Sequence, residues 1–488
     1  MATFIKTERL DANRIRILTP SGLDMILFAN EQVPIDRASL EEAKTISEIA
    51  DVIAALNAAG LFGDHTGCLH RAVFTPDYHK GAGIPIGTVL DADGFVLPKC
   101  AGSDIGCGVR LIITDMRREE FARLDHLDAI LRHRFFEGGR DVPLTESDRA
   151  AMLRDGAIGL PRMTGGLWDR IDFNQVQTDL DRTHQLGHWP TRNLWRFEDY
   201  VRGSGGKSYD SNIGSIGGGN HFVEVQYVEE CLDKPTCWQW GIKREFIAIM
   251  VHTGSVGLGG MVGAGFMRAA QQLYPAGLPR PEHDYLPLPT VGPHREQGEN
   301  YLSAMGLAAN FACVNRLVLG ELALHCLSDA LGRQVTGQLV YDAPHNLVWS
   351  QGRHHIHRKG ATPAEAIPDP TFPNGHPVLV PGSMGDASYV LRGLGSVASL
   401  CSAPHGAGRR TARGQGRNAA TAELEPLRIV TAIDLKFVRR EIADACRKDL
   451  IEEAPSAYKP VLPVIDTVAD AGIASPVARL RPVLTIKA

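Results

Sequence analysis

Residues 299–332, "ENYLSAMGLAANFACVNRLVLGELALHCLSDALG", carry the longest helical pattern in the chain, and the pattern is apolar on most faces. A surface helix shows one apolar stripe; a helix that is apolar nearly all round has to be surrounded. The segment therefore predicts a central buried helix with the remaining elements packed about it. With 488 residues, 44% of them hydrophobic, the chain can supply that much core. Length alone suggests two or three domains. Glycine clusters at 203–206, 217–219, 257–260 and 406–408 break the sheet-like pattern without any shift in composition. They read as tight loops, not linkers, so one compact α+β unit over 1–488 is expected, of mixed β-sheets and surrounding helices.

Other segments are shorter. Residues 37–60 read as a helix that Ser39 could cap and Gly60 stops. Residues 84–112 read as short strands joined by turns, with "DADG" (91–94) a hairpin signal. Residues 140–212 are polar and without a clean period, and are taken as a variable insertion or lid. Residues 435–453 read as an amphipathic helix.

A net charge of −5 gives no global field for nucleic acid, so such a partner has to meet a local basic patch. The densest basic stretch is "RHHIHRKGAT" (353–362), either a solvated loop or a polyanion contact. The N-terminus mixes charges into every turn, and no 18-residue apolar run occurs, so neither an export signal nor a membrane span is expected. Nine cysteines, without a CxxC pair, fit a reducing cytoplasm.

Five polar sites carry possible chemistry. "SDIGCG" sets Asp104 three residues before Cys107. "GGGNHFVEV" sets Asn220, His221 and Glu224 after three glycines. "IMVHTGS" brings His252 to the end of an apolar run. "VYDAPHNLV" does the same for His345 and Asn346, and "SAPHGAGRR" for His405. Each histidine taken singly is as well explained as a satisfied turn residue, and Cys107 as a small buried hydrophobe. Together, one thiolate, one carboxylate and three imidazoles form a mixed ligand set for one or two first-row metal ions. A thiolate has lone pairs enough to bridge two. His405 has no carboxylate neighbour in sequence. Backbone donors at Gly406 and Gly408, with Arg409 and Arg410, suit a phosphate, which His405 would either hydrogen-bond or attack. Ser383 and Ser388, on a glycine-containing turn, suit phosphate or sugar hydroxyls.

The segments "DYHKGAGIPIGTV", "SDIGCGVR", "GSIGGGNHFVEV", "HTGSVGLG", "ENYLSAMGLAANFACVNR", "HNLV", "HRKGAT", "PGSMGDASYVL", "HGAGRR", "EEAPSAYK" and "VARLRPVLTIK" resemble the RtcB family of RNA ligases, in the family's order. The first 60 residues and 120–210 match poorly. The resemblance implies a GTP- and Mn²⁺-dependent ligase that joins a 3′-phosphate or 2′,3′-cyclic phosphate to a 5′-hydroxyl. It implies one Mn²⁺ on Asp104, Cys107 and His221, and a second on Cys107, His252 and His345. His405 would be the nucleophile that becomes guanylylated. Guanylate contacts would fall on Asn220, His221, Phe222, Val223, Glu224, His345, Asn346, Pro381, Gly382, Ser383, Met384, Ser388, His405, Gly406, Ala407, Gly408, Tyr458 and Lys487. The expected partner is RNA, such as tRNA halves or broken RNA, with DNA 3′-phosphate ends as a further target and an archease-like helper. A monomeric, cytoplasmic enzyme is expected.

One departure stands out. Where the family reads HSGSR or HTGSR, this chain has Val256 in "HTGSV". Losing a guanidinium from an anion contact weakens it by roughly 1.5–3 kcal/mol. That keeps open an enzyme that caps 3′-phosphate ends without efficient sealing, and, from another class, a non-catalytic protein that binds nucleic-acid ends.

Overall fold

The computed structural model describes residues 5–203, 206–411, 421–434 and 440–488. The apolar segment lies within one helix, Arg295–Leu331, which Gly332 ends in the left-handed conformation that a helix C-terminus favours for glycine. Its faces are covered by the helices Leu127–Phe136, Glu146–Asp155 and Gly257–Leu273 and by the strands Gly108–Arg117 and Phe246–Thr253. It is also the one helix among the described residues long and apolar enough to cross a membrane, and it is buried inside the protein.

The architecture is α+β, with two large mixed sheets. The first runs Lys6–Arg9, Arg14–Leu18, Asp24–Phe28, Cys68–His79, Ile86–Asp93, His354–Lys359, Asn346–Gln351. The second runs Gly337–Pro344, Gly108–Arg117, Phe246–Thr253, Phe222–Cys231, Ala474–Ile486, Ser388–Gly393, Pro377–Val380. The strands Gly108–Arg117 and Phe246–Thr253 of the second sheet are buried on both faces over most of their length, which is why they read as nearly continuous apolar runs. Along Phe246–Thr253, Ile247, Ile249 and Val251 enter the cluster around the central helix, while Ala248 and Met250 enter a second cluster. The period of two then sends His252 to the second face.

Register makes this useful. Gly108 pairs with both Thr253 and Pro344, and His252 pairs with Phe222. Three strand ends are thus flush, and Cys107, His252 and His345 extend the same face. Position 108 has to be glycine: a Cβ there would sit 2.4 Å from Ala343 O. His345 is the single residue between the end of a strand in one sheet and the start of an edge strand in the other.

Several local expectations change. The first helix spans Arg37–Ala58 and is capped by Asp36, whose carboxylate accepts from the Ser39 backbone N–H; Ser39 lies inside the helix. "DADG" makes no hairpin: Phe95–Val96 pairs with Leu288–Pro289, while Ile86–Asp93 pairs with Cys68–His79 and His354–Lys359. The turn leaves the sheet because long-range pairing outweighs local turn preference. Gly257–Gly260 open the helix Gly257–Leu273 instead of forming a loop. The basic stretch 353–362 is largely a buried strand, with His355, His357, Arg358 and Lys359 all buried. Its alternation was hidden by polar residue types that find internal partners, such as Arg358 Nε donating to Ser402 Oγ at 2.8 Å. The helix expected at 435–453 is Arg440–Ile451, with 435–439 outside the described residues, as are 204–205 of the first glycine cluster. Within 140–212, the helix Glu146–Asp155 and the turns Gly156–Arg162 and His184–Gly187 pack on the central helix, and none of the described residues of this stretch lines the cavity described next.

Candidate active site at the junction of the two sheets

The flush strand ends bring four side chains into contact. Cys107 Sγ lies 3.3 Å from His221 Nε2 and 3.4 Å from His252 Nε2, and His252 Nε2 lies 3.4 Å from His345 Nε2. Asp104 Oδ2 lies 2.8 Å from His221 Nε2. His221 reaches the cluster from the start of its strand, not the end, carried by the glycine loop before it. The donor atoms of Cys107, His252 and His345, and separately those of Asp104, Cys107 and His221, all fall within 4.8 Å of one another. Bonds of roughly 2.0–2.3 Å to one ion put neighbouring tetrahedral ligands about 3.4 Å apart. The donor set therefore fits a divalent ion in each half, with Cys107 common to both. Gly254 makes room for the carboxylate: a Cβ there would sit 2.2 Å from Asp104 Oδ1.

The electrostatics point the same way. Burial, reinforced by Asp104, pushes the Cys107 thiol well above its ordinary pKa. A cation is what would make it a thiolate. Burial also holds His252 and His345 well below the usual imidazole value, so both are neutral, the form that ligates. Burial raises the Asp104 carboxyl, but the hydrogen bond and charge of His221 outweigh it, and the group stays below its ordinary value.

His405 stands beside this cluster, its ring centroid 4.7 Å from that of His345. The carboxylate missing from its sequence neighbourhood comes from the other end of the chain. Asp77 Oδ2 accepts from His405 Nδ1 at 2.5 Å and from the His405 backbone N–H at 3.2 Å. Asp77 Oδ1 accepts from Thr75 Oγ1 at 2.5 Å. Burial raises the Asp77 carboxyl, but His405 more than offsets this and keeps it ionised. In the neutral ring this contact sets the tautomer: the proton sits on Nδ1, facing Asp77, and the lone pair on Nε2. Asp77→Asn, which can present an amide N–H to that nitrogen and so favour the wrong tautomer, is expected to slow any reaction at Nε2 by about 10²-fold. Single-turnover kinetics of the variant measure this.

A cavity of about 830 Å³ opens over His405 and the donor cluster. Asp104, Cys107 and His252 line it, as do Asn220, Phe222, His345, Asn346, Pro381 to Met384, His405 to Gly408, Tyr458 and Lys487. Several of these are already engaged. Asn346 Oδ1 accepts from Gly360 N at 2.7 Å, Lys487 Nζ donates to His221 O at 3.2 Å, and the Tyr458 hydroxyl bonds Glu453. His221, Val223, Glu224 and Ser388 do not line the cavity. Ser388 Oγ instead takes the Gly382 N–H at 3.2 Å and the Gln226 amide at 3.0 Å, holding the 381–384 turn from behind. Asp77, His79 and Lys359 are site residues that residue-by-residue reading passed over, although Asp77 opens the segment "DYHKGAGIPIGTV" that carries part of the family resemblance.

Glu224 is buried, accepting from Gln226 Nε2 at 2.6 Å and Thr485 Oγ1 at 2.7 Å. Burial raises its carboxyl from 4.5 to about 7. The folded state therefore holds this proton more tightly than the unfolded one. The resulting stability is complete below pH 4.5 and is lost as pH rises through about 7. At pH 8, Glu224→Gln is expected to raise the unfolding free energy by up to about 3 kcal/mol. Denaturant titrations of both proteins across this range test it.

The family model described as tRNA-splicing ligase RtcB matches residues 57–488. The RNA-splicing ligase RtcB of Mycobacterium tuberculosis is 34% identical over 452 residues, 86% of this chain and 98% of that protein. The tRNA-splicing ligase RtcB of Thermococcus kodakarensis is 34% identical over 446 residues, 85% of this chain and 87% of that protein. That of Aeropyrum pernix is 31% identical over 442 residues, 84% and 87% respectively. The match runs through every segment that supplies the donor cluster, Asp77 and His405, and the chain belongs to the RtcB family.

Proposed function

We propose that the protein is an RNA ligase that joins a 3′-phosphate, or a 2′,3′-cyclic phosphate, to a 5′-hydroxyl through guanylate carried on His405, using GTP and two Mn²⁺ ions. One observation carries the reading: Asp77 orients His405 with a free Nε2 beside a five-residue donor cluster, at the floor of a nucleotide-sized cavity. Bound to that cluster, divalent cations would draw charge from phosphoryl oxygens. The ligand types would also suit Zn²⁺, so Mn²⁺ rests on the family resemblance. His405 Nε2 attacks the α-phosphorus of GTP; the N–P bond forms and pyrophosphate leaves. Asp77 stabilises the positive charge that develops on the ring. An RNA 3′-phosphate then takes the guanylate, restoring the imidazole, and a 5′-hydroxyl displaces GMP to close the phosphodiester. The 381–384 turn and Gly406–Gly408 supply backbone donors for the guanylate, and Tyr458 a face for its base. RNA as the substrate rests on the names of the relatives, RNA- and tRNA-splicing ligases; tRNA halves or broken strands rest on the family resemblance.

A second reading, capping of 3′-phosphate ends without efficient sealing, has one observation of its own. Val256 does not line the cavity; it packs against the main core with φ +53°, a strained setting for a β-branched residue. No guanidinium projects from this position toward an RNA end. Incubation with GTP, Mn²⁺ and an RNA pair bearing 3′-phosphate and 5′-hydroxyl ends, with capped and sealed products scored separately, decides between the two. Under the second reading Val256→Arg raises sealing relative to self-guanylylation by up to about tenfold per 1.4 kcal/mol regained. Absence of both products, with no label on the protein, refutes both readings and leaves an end-binding protein.

A further inference from the structure

Within the buried stretch of the central helix a few positions are polar, and two adjacent ones, Asn315 and Arg316, bond the backbone beside the donor cluster. Arg316 is 1% exposed. Its Nη1 donates to Gly106 O at 2.6 Å and to Thr253 O at 3.2 Å, and its Nε donates to Asp342 Oδ1 at 2.8 Å. Gly106 precedes Cys107, Thr253 follows His252, and Asp342 lies three residues before His345, on the strand Gly337–Pro344 that leads into it. One planar group thus ties together the three separate segments that carry Cys107, His252 and His345. Asn315 completes the frame: its amide donates to Ser215 O at 2.9 Å and Gly254 O at 3.3 Å, and its oxygen accepts from Gly214 N at 2.7 Å.

A buried arginine next to a proposed cation site is electrostatically adverse, and a buried ion pair by itself adds little stability. Charge neutralisation of Asp342 does not require this geometry, since Arg110 Nη1 also reaches Asp342, at 3.4 Å. What the guanidinium offers beyond charge is a rigid fork with donors at fixed angles. We propose that Arg316 is a positioning residue for the metal centre: it fixes the mutual spacing of Cys107, His252 and His345 by holding the backbone beside Cys107 and His252 and the Asp342 carboxylate on the strand that leads to His345. The inference rests on the metal-binding reading given above.

The test is Arg316→Lys, which keeps the charge and loses the fork. Titration of the metal-free protein with Mn²⁺ and with Co²⁺ gives affinities, and the Co²⁺ absorption bands report ligand geometry. Affinity is expected to fall about 10- to 100-fold, with altered bands. Guanylylation should return toward the wild-type rate as Mn²⁺ is raised. A folded Arg316→Lys protein with wild-type affinity and wild-type Co²⁺ bands overturns the proposal. Should the lysine variant not fold, Arg316→Gln with Asp342→Asn removes both charges and is read in the same way. A wild-type protein that binds no metal through Cys107 sinks the metal-binding reading itself; a wild type that binds while the variant binds equally sinks only the clamp.

Discussion

His405→Ala abolishes covalent transfer of label from α-labelled GTP to the protein and leaves metal binding unchanged. The expectation follows from geometry. Among the histidines facing the cavity, His252 and His345 direct Nε2 at one another and at Cys107, so those lone pairs are committed within the donor cluster. His405 alone among them pairs a carboxylate on Nδ1 with a free Nε2. Its removal takes away the nucleophile and not merely a contact, so the loss is complete within detection instead of a graded fall. Stability drops as well, because Asp77 loses its imidazole partner, yet Asp77 keeps the Thr75 hydroxyl and the backbone N–H of position 405. His405→Asn, which can still donate to Asp77, separates lost chemistry from lost stability. Label persisting on either variant would put the nucleophile elsewhere, and His79, stacked on His405 with ring centroids 6.3 Å apart, would be the first residue to examine.

Cys107→Ser is the other large effect. A hydroxyl is a far weaker ligand than a thiolate for a first-row cation, and position 107 is within reach of both halves of the donor cluster. Both metal sites weaken together, and self-guanylylation falls with them. His252→Ala, by comparison, weakens chiefly the half that contains His345. Metal content of Mn²⁺-loaded protein after gel filtration, with titration for affinity, distinguishes shared from independent sites. Two ions retained at wild-type affinity in Cys107→Ser would end the bridging role. The structural cost is small, since serine fits the space of cysteine and the surrounding backbone bonds, such as His345 N to Cys107 O at 2.7 Å, do not involve the side chain.

The sequence by itself determined those features whose cause is local or periodic. The 299–332 segment could be nothing but an enclosed helix, because no face of it was polar enough to meet water. The donor types at Asp104, Cys107, His221, His252 and His345 were legible because histidine and cysteine at glycine-rich ends of apolar runs are few. Tertiary structure alone decided how they meet. Strand register set Gly108 opposite both Thr253 and Pro344, and register depends on which apolar faces are buried, a property of the whole sheet. It also supplied Asp77 to His405 across 328 residues, a pairing no local pattern encodes. The buried strand 354–359 looked like a basic loop for the same reason. Its histidines, arginine and lysine find partners on elements far away in sequence: Ser402 for Arg358, Tyr285 for Lys359, Thr290 for His355. Polar residues pattern like solvent-exposed ones until the groups that satisfy them are in place, and those groups arrive only when the chain has folded.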